Sequence, residues 1–135
     1  MLVIDASTLF EVVAGTPRAK WIRRRLLEDR DQAAPHLIDV EVLGVIQRHF
    51  LLGRLDRTAA SQAVDDLRDW PGERFEHRAL LDRAWQLHAN LRGWDAMYVV
   101  LAEALRGTLL TTDERLASVP GLLCGVEVVP RWEPR

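Results

Sequence analysis

The sequence predicts an α/β protein, a three-layer α/β/α sandwich with a mostly parallel central sheet. Short unbroken apolar runs, Leu2 to Ile4 and Thr108 to Thr111 among them, have the length and composition of strands buried on both faces. These runs alternate with longer stretches of helical periodicity, and the intervening segments are long enough for right-handed parallel crossovers. At 135 residues, with no internal repeat, low-complexity linker or composition break, the chain is expected to form one domain over residues 1–135.

Leu2, Val3 and Ile4 make the first strand, which ends at Asp5, and Leu9, Phe10, Val12 and Val13 belong to the helix that follows. Ser7 and Thr8 are better placed than Asp5 to cap that helix, which leaves Asp5 partly free for another role. Gly15, Thr16 and Pro17 separate it from a second helix over Arg18 to Glu28, with Ala19, Ile22 and Leu26 on one face and a basic opposite face. Ala33 to His36 reads as a short strand, which Pro35 makes an irregular or edge one. A longer helix over Ile38 to Leu52 turns Ile38, Val42, Val45, Ile46 and Phe50 inward, carries Glu41 on its first turns, and ends at Gly53.

Asp56 or Thr58 caps the next helix, whose apolar stripe is Ala60, Ala63, Val64 and Leu67. After the Trp70, Pro71, Gly72 loop, Arg74 to Glu76 suggests a weak strand, and Leu80, Ala84, Leu87 and Leu91 recur at helical spacing. The segment Trp94 to Asp113 combines a helix that is apolar from Ala96 to Ala102, a stop at Gly107, a buried strand and a terminal acid. A short helix near Glu114 to Ser118, a last strand at Val126 to Val129, and a loose tail from Arg131 to Arg135 complete the chain.

A hydrophobic content of 48% and a charged content of 28% describe a globular protein, with neither a membrane-spanning run nor a signal-peptide pattern. The lone Cys124 has no partner for an internal disulfide, which fits a reducing compartment, and the cytoplasm is the expected location. His77 and His88 lack the i, i+4 spacing of helical zinc pairs. A net charge of -2 is not the footprint of a basic nucleic-acid-binding domain, and the basic residues from Arg18 to Arg25 are first a solvated helix face.

Four carboxylates are placed differently from the rest. Asp5 ends the first strand, Asp113 follows a later one, Asp95 opens the buried helix, and Glu41 lies near the start of another. A parallel sheet gathers such positions at the carboxyl ends of its strands, where ligands bind in open α/β folds. For each acid alone, capping or helix-dipole complementation is the ordinary explanation. Together they repel one another, and a hard divalent cation, Mg2+ or Mn2+, relieves that repulsion. The chemistry that follows is metal-assisted phosphodiester hydrolysis.

Four segments, VIDAST, PHLIDVEVLGVI, WDAMYVVLAEAL and LLTTDERLA, resemble in order and spacing the PIN-domain ribonucleases, and among them the VapC toxins of VapBC toxin-antitoxin pairs. The resemblance implies that Asp5, Glu41, Asp95 and Asp113 are the catalytic, Mg2+-holding quartet, with Ser7 and Thr111 supporting it. It also implies an RNA substrate, a homodimer and a VapB-type antitoxin that covers the site. Trp94, where the family often has Tyr, and the preceding Gly93 are the departures. Arg92, Arg115 and the Arg23 to Arg25 run are candidate phosphate contacts, and Trp94 a candidate stacking platform. A non-catalytic PIN-like protein-binding scaffold is the alternative, against which an intact quartet argues. Phosphate-transfer α/β domains fit less well, because Ser7 stands where a phosphatase needs its second Asp and Lys20 is the only lysine.

Overall fold

The computed structural model describes residues 1–131, so the expected tail lies outside the described residues apart from Arg131. Its centre is a parallel five-stranded sheet in the order β3-β2-β1-β4-β5, built from β1 (Leu2–Ile4), β2 (Gln32–Pro35), β3 (Glu73–Phe75), β4 (Thr108–Thr111) and β5 (Gly125–Val128). The middle strands are dry. Leu2, Val3, Ile4, Ala33, Ala34, Leu109 and Leu110 are each buried, as unbroken apolar runs require when both sheet faces are covered.

The first two crossovers carry α1 (Ala6–Val13), α2 (Ala19–Glu28), α3 (Leu37–Leu51) and α4 (Arg57–Asp69), among which α1 packs on the other three. The connection from β3 to β4 carries α5 (Leu81–Gln86) and α6 (Gly93–Ala104), which pack on each other. Strand order reverses direction after β3, so right-handed crossovers put α5 and α6 on the face opposite α1 to α4. This is the three-layer sandwich. Helix α6 runs across β1, β2 and β4, and from Ala96 to Ala102 all its residues are buried, matching its lack of a polar face.

Several local expectations change in ways that have a physical reason. Pro35 lies in an interior strand, not at an edge. The His36 N–H donates to the Phe75 carbonyl at 2.8 Å, so the missing Pro35 N–H faces β1. The β1 pairing already ends at Val3 with Ala33, and no ladder bond is lost there. Gly107 does not itself stop α6; the left-handed residue is Arg106, with φ 53°. Gly107 instead allows close passage of the amino terminus, since a Cβ there would fall 2.8 Å from Met1 Cγ and 3.0 Å from the Met1 carbonyl oxygen.

The stripe of Leu80, Ala84, Leu87 and Leu91 is buried as expected, but not by one continuous helix. Beyond Gln86 the chain continues in tightened turns, in which the Leu87, His88 and Asn90 N–H groups reach carbonyls three residues back. Phe50, expected inward, is 37% exposed at the end of α3, whereas His49 is half-buried with its ring centroid 4.6 Å from that of Phe10. The capping expectation at Asp56 holds, its Oδ1 accepting the Ala59 N–H at 2.7 Å. No helix among the described residues is long and apolar enough to cross a membrane.

Candidate functional site

Asp5 leaves the carboxyl end of β1 directly into α1 and is itself the cap of that helix, its Oδ1 accepting the Thr8 N–H at 3.0 Å. Capping therefore does not fall to Ser7 or Thr8. Ser7 Oγ donates to the same oxygen at 2.7 Å, and Thr8 Oγ1 donates across to the Leu110 carbonyl at 3.1 Å. The other Asp5 oxygen accepts Thr111 Oγ1, from the end of β4, at 2.5 Å. Thr111 Oγ1 also accepts the Asp113 N–H at 3.0 Å, so one buried hydroxyl joins the ends of β1 and β4. Ser7 and Thr111, expected as supporting residues, both donate to the Asp5 carboxylate.

Asp5 is 7% exposed, and burial pushes its carboxyl above the usual carboxylate range despite the donors from Thr111, Ser7 and Thr8. Asp95, in the first turn of α6, is raised by burial and then by the charges of Asp5 and Asp113, with Arg115 and Arg92 opposing. Glu41, on α3, is raised by burial, restrained by a hydrogen bond from Tyr98, and raised further by Asp95 and Asp5. Three acids from three elements therefore feel one another as like charges.

Asp113 differs. The Arg115 hydrogen bonds hold its carboxyl below the usual range, against partial burial, assisted by the Arg115 backbone N–H and charge. Asp113 also caps the turn Glu114–Ser118 through that N–H, as Asp5 caps α1.

Asp95 and Asp113 line a common cleft of about 200 Å³ with Arg92, Arg115, Leu91 and Leu116. Two of the proposed RNA contacts, Arg92 and Arg115, are therefore beside two of the acids. Trp94 lies outside the lining; it is 49% exposed, with the Arg92 guanidinium carbon 5.8 Å from its ring centroid. The basic run of α2 is engaged elsewhere: Arg25 pairs with Glu127 of β5 at 2.7 Å and Arg23 donates to the Val12 carbonyl.

Tyr98 is the functional neighbour that sequence reasoning missed. One turn after Asp95 in α6, it reaches across to α3 and donates its hydroxyl to Glu41 Oε1 at 2.9 Å. Burial, and then the Glu41 carboxylate, push its phenol up and keep it protonated. The available signal was a polar-tipped aromatic inside an otherwise apolar helix, which needs a partner when buried.

Among the described residues, no three Asp, Glu, His or Cys side chains are drawn together closely enough to hold an ion as they lie. Asp113 is held by Arg115 and Glu41 by Tyr98. The donor chemistry nevertheless fits a hard divalent cation, because all four groups are carboxylates and Asp5, Glu41 and Asp95 destabilise one another's charged forms.

A parallel sheet in this order, with helices on both faces, defines the class: an open α/β domain of Rossmann-like layout, with acids from separate elements toward its carboxyl edge. The PIN domain family model matches residues 2–122. Ribonuclease VapC1 of Mycobacterium tuberculosis is 38% identical over 128 residues, covering 94% of this chain and 96% of that protein. The crystal structure of PAE2754 from Pyrobaculum aerophilum superposes with a TM-score of 0.66 at 26% identity, covering 93% of this chain and 89% of that one. VapBC2 from Rickettsia felis, bound to a DNA fragment from its promoter, gives the same TM-score of 0.66 at 12% identity, over 96% and 98% of the two chains, a likeness of fold. The chain belongs to the PIN-domain family, in its VapC branch.

Proposed function

We propose that this protein is a metal-dependent endoribonuclease toxin of the VapC type, hydrolysing RNA phosphodiester bonds at Asp5, Glu41, Asp95 and Asp113. What supports the reading is the cleft that Asp95 and Asp113 line together, with the Asp5 carboxylate tied through Thr111 to the Asp113 backbone and close enough, like Asp113, to raise the Asp95 carboxyl by its charge. Such an arrangement costs folding stability and is retained where a cation is used. Mg2+, or Mn2+ in its place, supplies when bound a counter-charge for the phosphoryl oxygens and a more acidic water.

The chain's own residues do the positioning. Ser7, Thr8 and Thr111 fix the Asp5 carboxylate in one orientation through both of its oxygens. Tyr98 fixes Glu41, and the rigid α6 carries Asp95 to the cleft. Arg92 and Arg115 offer guanidinium groups to an RNA phosphate there. The Ribonuclease VapC names of the relatives support RNA as substrate, and in this reading a VapB-type antitoxin is the partner that covers the site. A homodimer in the cytoplasm completes the reading.

The deciding experiment compares cleaved RNA ends produced by purified wild type and Asp5→Asn in Mg2+. Wild type is expected to cut, and Asp5→Asn to lose at least about 100-fold in rate with its fold intact. Full cleavage by Asp5→Asn overturns the assignment.

A further inference from the structure

Asp113 is the one member of the acidic rim that already has a cation. Arg115 Nε donates to Asp113 Oδ1 at 3.0 Å and Nη2 to Oδ2 at 2.8 Å, while the Arg115 backbone N–H donates to Oδ1 at 3.0 Å. Both carboxylate oxygens are thereby occupied in the side-by-side geometry that guanidinium favours. Among the described residues no ion pair of this kind reaches Asp5, Glu41 or Asp95; their partners are hydroxyls and a backbone amide, or only the through-space charge of Arg92 and Arg115.

The same side chain is 84% exposed, so little packing holds it in this pose. An ion pair this open is weakly held, and its release leaves no buried group unsatisfied. The guanidinium and a divalent cation compete for the Asp113 oxygens and carry like charge, so each weakens the other's hold there. After release Arg115 still belongs to the cleft that Asp95 and Arg92 line, on a tether two residues from the acid.

We infer that Arg115 is a resident counter-ion of Asp113 that a divalent cation displaces, and that the displaced guanidinium then takes an RNA phosphate. Cation binding and RNA binding are in this way coupled through one side chain. The inference rests on the metal-dependent reading above and adds to it a direction: Arg115 opposes the cation and assists the RNA that follows it. By linkage, RNA that occupies the guanidinium strengthens cation binding by the same factor.

The test uses the intact protein, Mn2+ alone as the first probe, and a single-stranded 2′-O-methyl oligonucleotide, which is not cleaved, as the second. In calorimetry Arg115→Gln is expected to bind Mn2+ roughly two- to fivefold more tightly than wild type. In fluorescence anisotropy, Mn2+ is expected to raise oligonucleotide affinity in wild type and to do so much less in Arg115→Gln. With Mn2+ present, the slope of log affinity against log salt should be smaller in the variant by about 0.7. Arg115→Lys, which keeps the charge but not the fork, is expected to fall between the two.

Equal Mn2+ affinity in wild type and Arg115→Gln overturns the inference and leaves the metal-dependent reading standing. An absence of Mn2+ binding to both at millimolar concentration overturns both. A tighter Mn2+ site with an unchanged Mn2+ effect on the oligonucleotide overturns the phosphate half.

Discussion

Thr111 Oγ1 is the atom on which the acidic rim turns. It donates to Asp5 at 2.5 Å, accepts the Asp113 N–H at 3.0 Å, and is shut away from water at the end of β4. Val at this position keeps the shape and removes both bonds, leaving a buried carboxylate oxygen and a backbone amide without their partner. Thr111→Val is therefore expected to lower unfolding free energy by about 1–3 kcal/mol, measured by urea denaturation. Cleavage should fall more than stability explains, because Asp5 loses the donor that sets its orientation. Thr111 was visible as a supporting residue only through the resemblance. That Asp5 and Asp113 act as caps themselves was not visible, because Ser7 and Thr8 look better placed to cap when sequence is all there is.

At the scale of elements, α6 is tied down by polar contacts at its middle and near its carboxyl end. Tyr98 links it to α3, and Glu103, near its carboxyl end, accepts Arg83 Nε from α5 at 2.8 Å and the Leu123 N–H at 2.7 Å. Burial alone would raise the Glu103 carboxyl, but the Arg83 hydrogen bonds, the Leu123 amide and the Arg83 charge outweigh it and hold it below the ordinary glutamate value. A carboxylate depressed in the folded state contributes stability above its unfolded pKa, and that contribution is lost as pH falls through the folded value. Thermal melts from neutral pH down through the carboxylate range should thus show a shallower acid decline in Glu103→Gln than in wild type. An identical acid limb in both would show that this pair contributes nothing. Tyr98→Phe, which frees Glu41, is expected to reduce cleavage about tenfold with little change in melting temperature.

For the whole molecule, the acids come from just after β1, from α3, from α6 and from just after β4, so their like charges act between separate parts of the chain. A cation that binds only the folded state adds stability according to its concentration, about 2.7 kcal/mol at 100 times its Kd. Melting temperature should rise with Mn2+ in wild type and stay flat in Asp5→Asn. Without metal, Asp5→Asn should be the more stable of the two by about 1 kcal/mol, because the amide carries no charge to repel Asp95 and Glu41. A metal-free Asp5→Asn that melts below wild type, with an unaltered response to Mn2+, would count against a shared site.

The sequence by itself determined the layers and the acids. Apolar runs such as Leu2 to Ile4 belong in the middle of a parallel sheet whatever surrounds them, and a helix that is apolar from Ala96 to Ala102 has nowhere to go but the interior. Only the tertiary structure decided strand order, which placed Pro35 in an interior strand with its missing N–H beyond the β1 ladder. It alone decided that Gly107 is needed for the approach of Met1, that Tyr98 meets Glu41, and that Arg115 holds Asp113. Periodicity fixes which way a side chain faces its own element, but a partner many residues away is chosen by how the elements pack. That is why the four candidate acids could be singled out in the chain, while the contacts by which Tyr98 and Arg115 restrain two of them became legible only in the fold.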